Sequence, residues 1–489
     1  MVNRKERRLT AEAMRRSGLC VGCGACAGDG VAMELNRYGE LFPRSQASVA
    51  AARDVANICP FSPEAANEDD ISVRRFANAV SSHPLIGRFD AAYVGHAVED
   101  GYRGDGSSGG LVSWVAAELL REGLVDGVAH VAALQSPLPD GRLFDYRISR
   151  SIEDLRAGAK SRYHPVELSG VIAEMREKPG RYAVVGIPCF IKAIHFLRRQ
   201  DPLLRARIAL TLGLFCGHMK SARLAESFAW QLGVAPGRMT GIDYRLKNPD
   251  RPANWYRARI AHLDGAPREQ DWWRLVDGDW GAGFFQNSAC DFCDDVVAET
   301  ADISFGDAWV EPYASDGRGV NVVVVRSALI RSMVERGMEE GRVALTEVDA
   351  DFVVRTQAAG LRHRREGLAY RLALRLKQRQ LIQPRKRVAP DRALPFRRRL
   401  VYHARRHIAV WSRRVYLVAR QLRALWIYLL WARTAGTVYG ALTYGRGPLG
   451  AAMDRLERLS RTLGFAHAVV PRSSQPESRR MEQHDAPEV

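Results

Sequence analysis

The chain has 489 residues, 72 Lys and Arg against 55 Asp and Glu, a formal net charge of +17, and eight cysteines. Such a length exceeds one ordinary domain and can bury a large core, so a small disulfide-stapled scaffold is excluded. No run of about 18 uncharged apolar residues occurs, which argues against a spanning helix.

The first residues, M-V-N-R-K-E-R-R-L-T, are charged and unlike a signal peptide. The expectation is therefore a reducing cytoplasm, where C-x-x-C marks a metal or redox site more often than a disulfide. Residues 1–75 read as a short, loop-rich, ferredoxin-like iron–sulfur unit. Cys20, Cys23 and Cys26 stand in C-V-G-C-G-A-C, and Cys59 stands before Pro60. Three closely spaced thiolates suit one face of a cubane cluster, and a remote Cys-Pro can close the cage. Gly22, Gly24 and Ala25 leave room for it. Zinc also accepts four cysteines, but usually through two paired C-x-x-C knuckles.

From Phe89 the texture becomes α/β. A-A-Y-V-G-H-A predicts a buried strand, and G-D-G-S-S-G-G leads into a helix that starts at L-V-S-W and ends at Gly123. D-G-V-A-H-V-A-A-L and R-Y-A-V-V-G-I-P-C predict further strands. A helix with Ile191, Ile194 and Leu197 follows, then the strand I-A-L-T-L-G-L-F-C. Strand–turn–helix repeats of this kind indicate α/β layers. This first part of the body spans 76–240. A second, more strand-rich part spans 241–375 and includes Y-R-A-R-I-A-H-L, A-D-I-S-F-G-D-A-W and V-N-V-V-V-V-R.

The other four cysteines lie in this body. Cys189 follows one strand in a turn set by Pro188, Cys216 ends the next, and Cys290 and Cys293 form C-D-F-C. Two parallel neighbouring strands would place Cys189 and Cys216 at one sheet edge. Buried hydrophobic cysteines are the competing explanation, and a Cys189 nucleophile beside His195 or His218 is a third.

The remaining polar candidates fall around turns. Ser107, Ser108, Gly109 and Gly110 sit at a strand-to-helix junction, where backbone N–H groups can receive a phosphate; a plain Gly-rich turn is the alternative. Lys160, Ser161, Arg162 and Tyr163 offer two cations, a hydroxyl and a ring, or else form a solvated loop. Asp307 and Trp309 could take a ribityl hydroxyl and a ring, or be a turn acid and a core indole. Trp272, Trp273 and Trp280 read as core. His218 is a candidate proton donor against a structural histidine.

Taken in order, G-S-S-G-G-L-V-S, G-L-V-D-G-V, K-S-R-Y, V-G-I-P-C, L-F-C-G-H, C-x-x-C, A-D-I-S-F-G-D-A-W and G-V-N-V-V-V-V-R-S resemble the deazaflavin-coenzyme (coenzyme F420) hydrogenase/dehydrogenase beta-subunit family, over residues 15 to 375. That family includes ferredoxin-dependent reductases of chlorophyll metabolism. The resemblance implies an iron–sulfur flavoprotein with FAD beside its clusters. It also implies a second 4Fe–4S cluster on Cys189, Cys216, Cys290 and Cys293. A ferredoxin-like donor would feed two 4Fe–4S clusters, then FAD, then a small-molecule or lipid-linked substrate. By analogy that substrate belongs to polysaccharide synthesis. Direct exchange with the deazaflavin coenzyme and a purely electron-transferring role in a larger complex are the alternatives.

Residues 361–489 hold 28 Lys and Arg against 8 Asp and Glu, so the first 360 carry 44 against 47. The basic excess thus lies in a helical tail, 376–470, followed by a polar segment, 471–489, that composition marks as disordered. Trp411, Tyr416, Trp426, Tyr428 and Trp431 alternate with Arg at helical spacing. Three destinations compete: an anionic membrane surface, the body or a partner protein, and nucleic acid. No nucleic-acid motif accompanies the charge, so nucleic acid is not expected. The expected location is cytoplasmic, with peripheral contact to the inner face of the membrane.

Overall fold

The computed structural model describes residues 9–28, 31–44 and 54–462; the expected disorder of 471–489 lies outside the described residues. Two short hairpins come first, β1 (Met33–Leu35) with β2 (Leu41–Pro43) and β3 (Ser81–His83) with β4 (Gly87–Phe89). The body then contributes β5 (Ala91–Ala97), β6 (Gly127–Ala133), β7 (Phe144–Ser149), β8 (Tyr182–Gly186) and β9 (Ile208–Leu214). A separate antiparallel sheet follows, β10 (Met239–Leu246), β11 (Arg257–His262) and β12 (Gly265–Asp271). Last come β13 (Ile303–Asp307), β14 (Asn321–Val325) and β15 (Val343–Glu347).

Eight of these strands form one mixed sheet in the order β15-β5-β14-β13-β9-β8-β6-β7. It draws strands from both sides of residue 240. Its centre is parallel: β13 with β9, β9 with β8, and β8 with β6. β14 is antiparallel to both β13 and β5, so β5 points the same way as β13. The C-terminal ends of β5, β6, β8, β9 and β13 therefore share one edge, the usual ligand side of an open α/β sheet.

The sheet is covered on both faces, and side-chain alternation shows why. Ala183, Val185, Val323 and Val325 enter one core with Trp114 of helix Leu111–Arg121 and Met333 of helix Ala328–Glu339. Val322 and Val324 enter the opposite core with Val296 and Leu361, while Tyr182 and Val184 join the core of helix Pro188–Gln200. Full burial on both faces accounts for the unbroken N-V-V-V-V of β14.

The C-terminal helices, Phe396–Gln421 and Leu425–Tyr444, pack on the body. Tyr416 and Tyr428 are both 0% exposed and share the main core with Cys23, Cys189 and Phe285. Phe285 has φ 56, a costly conformation for a bulky residue, and the Ser412 hydroxyl accepts its backbone N–H at 2.9 Å. Tyr428 donates to Asp277 at 2.8 Å, and Arg413 pairs with Glu40. Of the three destinations for this segment, packing on the body is what one face of the hairpin does. Among the described residues, no helix is long and apolar enough to cross a membrane.

Candidate functional site

The CVGCGAC loop winds through two left-handed glycines, Gly22 and Gly24, both at φ 75. A Cβ at Gly22 would stand 2.5 Å from the Leu41 carbonyl oxygen, and one at Gly24 would strike Glu167. Glycine is thus required for the loop to lie against β2 and the Glu167–Leu168 segment. This wrapping gathers the thiols: Cys26 faces Cys20, Cys23 and Cys59 closely enough to raise the pKa of each. Backbone N–H groups of Gly22, Ala25 and Phe61 donate to Cys20, Cys23 and Cys59 respectively. Burial pushes the Cys59 thiol up to about 12, while the Phe61 N–H, Lys386 and Lys192 oppose it.

The second set forms at the sheet edge. β8 and β9 are parallel neighbours, with Gly186 opposite Gly213. Pro188 is the first residue of helix Pro188–Gln200, so Cys189 lies in its first turn, where the helix dipole favours an anionic sulfur. Cys216 follows β9, and Cys290 and Cys293 lie on and just after the 3-10 turn Ser288–Phe292. Cys189 faces Cys293, Cys216 and Cys290, and also Cys23 of the first set. The Met219 N–H donates to Cys290 Sγ at 3.3 Å.

Cations stand beside both sets. Arg364 is 2% exposed and donates to the carbonyls of Cys216 and Gly217 at 2.9 and 2.5 Å. Its Nε and Nη1 have no hydrogen-bond partner. Burial disfavours its charge, but Cys293, Cys216, Cys290 and Asp295 outweigh that and hold it protonated. Lys192 pairs with Glu68 at 2.9 Å and Lys386 with Asp294 at 3.1 Å, all four at most 4% exposed. Arg387 makes two bonds to Glu299, 2.7 and 2.8 Å.

Unpaired guanidinium N–H groups and donated N–H···S bonds are what buried thiolates need and neutral thiols do not. The donor sets therefore fit iron–sulfur clusters. Among the described residues, no group of three or more His, Cys, Asp or Glu side chains is arranged for a single metal ion.

The polar candidates also converge at this edge. The Ser107 hydroxyl accepts the Ser161 N–H at 2.8 Å, joining the Gly-rich turn to the K-S-R-Y segment. Lys160 pairs with Asp243 at 3.4 Å, and Asp307 with Arg245 at 3.0 Å. Arg162 Nε is buried without a partner. Lys247 donates to the carbonyls of Ser108 (2.7 Å) and Arg103. Burial and then Lys160, Arg103 and Arg245 pull its pKa down to about 7. This excess of cations around a Gly-rich turn fits a pyrophosphate. Helix Leu111–Arg121 is not capped by Ser; Gly110 is its N-cap, and Asn321 Oδ1 accepts the Leu111 N–H at 3.3 Å.

Aromatic rings connect the two halves. Trp280 lies 4.7 Å from Tyr163 and stacks on His218 at 4.4 Å. Arg245 sits over the rings of Tyr256 (4.3 Å) and Trp309 (5.9 Å). His218 is buried, and burial followed by Lys220, Arg405 and Arg364 holds its ring neutral. Trp272 is core at 3% exposed, but Trp273 is 43% exposed, so it is not the core residue the sequence suggested. Trp273 follows the buried Trp272 in a 3-10 turn, where adjacent side chains point apart.

Sequence reasoning missed Arg245, Lys247, Arg364 and the buried pairs of Lys192 and Lys386. A signal existed for Lys192, which interrupts the apolar run F-I-K-A-I of a buried helix. None marked Arg364 out among the arginines of L-R-H-R-R.

Residues 92–173 match the N-terminal family model, and residues 180–351 the C-terminal family model, of the "Coenzyme F420 hydrogenase/dehydrogenase, beta subunit". The two spans cover 254 of the 489 residues. The chain belongs to the coenzyme F420 hydrogenase/dehydrogenase beta-subunit family. The spans contain Cys189, Cys216, Cys290 and Cys293; the first cysteine set and the C-terminal hairpin of this beta-subunit relative lie outside them. An uncharacterized protein of Methanocaldococcus jannaschii is 26% identical over 256 residues, 50% of this chain and 63% of that protein. The chain thus spans under two-thirds of that relative's length. A chain of the F420-reducing nickel–iron hydrogenase complex from Methanosarcina barkeri aligns with TM-score 0.46 and 15% identity, covering 60% of this chain and 96% of its own.

Proposed function

We propose that this family member is an iron–sulfur flavoprotein oxidoreductase that takes single electrons from a ferredoxin-like donor and exchanges hydride with an organic substrate. The observation that carries it is a shared core: Cys23 of the first set and Cys189 of the second lie in one buried cluster, and Trp280 leads from the Cys216–His218 segment to Tyr163. When bound, two 4Fe–4S clusters relay single electrons and FAD pairs them for hydride chemistry.

Each residue has a part in that reading. Cys20, Cys23, Cys26 and Cys59 would hold the outer cluster. Cys20 lines a cavity of about 220 Å³ with Arg15, Asn287, Ser288 and Arg414, which suits electron uptake there. Cys189, Cys216, Cys290 and Cys293 would hold the inner cluster, with Arg364 balancing its charge. Ser107, Ser108, Gly109, Gly110, Lys160, Ser161 and Arg162 would receive the FAD pyrophosphate with Lys247. Asp307, Tyr163 and Trp309 would border the rest of the cofactor. His218, being neutral, would give up a proton only from its ring N–H.

Coenzyme F420 is the first substrate to test, because the family description names it. The test begins with anaerobic purification and analysis of metal, sulfide and extracted flavin. About eight irons and eight sulfides per chain are expected. Cys23→Ser and Cys290→Ser should each remove about half the iron. Zinc in place of iron, or iron unchanged in both variants, would sink the ligand assignment. Turnover of coenzyme F420 or another acceptor by the isolated chain separates a complete reductase from a protein that only relays electrons.

A further inference from the structure

Residues 392–453 contain 12 Arg and no Asp or Glu. Helix Phe396–Gln421 spends one face on the body, through Ser412, Arg413, Tyr416 and Ala419. Its other face carries Trp411 (42% exposed), Val418 (46%) and Leu422 (63%), at spacings of seven and four residues that hold them within one stripe. Helix Leu425–Tyr444 repeats the arrangement: Tyr428 and Ala432 turn inward, while Trp426 (66%) and Leu430 (63%) face out. Exposed Arg414, Arg423 and Arg433 flank the stripe, and Arg414 lies 5.3 Å over the Trp411 ring.

We propose that the outer face of this helical hairpin docks on an anionic phospholipid surface. Charge selects the occupant. An apolar stripe alone would suit many partners. Arg397, Arg398, Arg413 and Arg420 are paired with acids from outside the stretch. Arg414, Arg423 and Arg433 beside the stripe are exposed with no acid in the 62 residues around them, and that complements an anionic plane. Two exposed tryptophans stand where indoles settle, at the boundary between headgroups and acyl chains. Arginine stems can lie along the apolar surface with their guanidinium groups at the phosphates. The hairpin would lie on the surface and not cross it, in keeping with its buried inner face. Neither stripe holds a candidate cofactor ligand, but Arg414 also lines the cavity beside Cys20, so docking and electron uptake would share that rim; vesicle binding of the protein reads the docking alone.

Full-length protein should be sedimented with phosphatidylcholine vesicles with and without phosphatidylglycerol. Binding is expected only with phosphatidylglycerol, and it should fall at least about tenfold in about 0.5 M salt. The pair Trp411→Ser and Trp426→Ser should weaken binding at least about tenfold, as should Arg414→Gln, Arg423→Gln and Arg433→Gln together. Leu329→Ser, at another exposed apolar position, should change nothing. Wild-type protein left in the supernatant with phosphatidylglycerol vesicles at low salt would overturn the proposal. So would equal binding by wild type and both multiple variants, or retention on a partner protein with no lipid affinity.

Discussion

We predict that Glu68→Gln will cost this protein about 3–5 kcal/mol of stability, the usual cost of stranding one member of a buried ion pair. Glu68 is 4% exposed and Lys192 3%, with 2.9 Å between carboxylate and ammonium. Burial acts to raise the Glu68 pKa, but Lys192, Lys386 and Arg387 outweigh it and the carboxyl stays low. Without Glu68, Lys192 keeps a weaker tie to Asp294. Lys192→Met should cost less, because Glu68 retains Lys386 and Arg387. The double variant should be more stable than the sum of the singles by at least about 1 kcal/mol. Guanidinium titration followed by tryptophan fluorescence measures all three. A single-variant cost below about 1 kcal/mol, or strict additivity, would refute the view that the pair is a buried ionic tie between the N-terminal unit and helix Pro188–Gln200.

Three further outcomes are expected. Gly109→Val should destabilise the protein whether or not flavin is present, since its Cβ would stand 2.8 Å from the Gly95 carbonyl oxygen and 2.9 Å from the Asn321 nitrogen. Lys160→Met should instead weaken flavin retention about tenfold at nearly unchanged melting temperature; unaltered flavin content would exclude Lys160 from the cofactor site. Burial and then Arg147 depress the His130 imidazole to about 4. The unfolded chain binds that proton more tightly, so the contribution is complete above about pH 6.5 and is lost as pH falls towards 4, by up to about 3 kcal/mol. His130→Gln should flatten the pH dependence of the denaturation midpoint across that window, and an unchanged slope would count against it.

Much of the sheet was legible because burial on both faces leaves a direct trace in sequence. A-A-Y-V-G-H-A and N-V-V-V-V lie on β5 and β14, and the expectation that Cys189 and Cys216 follow parallel neighbours holds in β8 and β9. Edge strands were harder. β7 and β15 are each covered along only part of their length; V-A-L-T-E lacks a clean period, whereas the alternation of F-D-Y-R-I-S was a readable strand signal that sequence reasoning missed. Nothing in the sequence showed that a Cβ at Gly109 would meet Asn321 and the Gly95 carbonyl oxygen. The hairpin's destination stayed open for a physical reason: helices rich in Arg, Trp and Tyr have the same composition whether they meet lipid or protein. Only contacts such as Ser412 with Phe285 reveal which face is spent. Buried charges were least legible, since Glu68, Lys192, Asp294 and Lys386 find their partners across long separations in sequence.

The ionic cluster joining these residues has a consequence for biosynthesis. Glu68 is made early, while Lys386 and Arg387 are made more than 300 residues later. At about 5–20 residues per second, the ribosome leaves Glu68 and Asp294 waiting for those cations, in the case of Glu68 for tens of seconds. A nascent chain can assemble the sheet and present all eight cysteines before the cations that neutralise the surrounding acids exist. Closure of the cluster is therefore a late step in synthesis, and a chain that stopped near residue 375 would have every sulfur in place but lack Lys386 and Arg387.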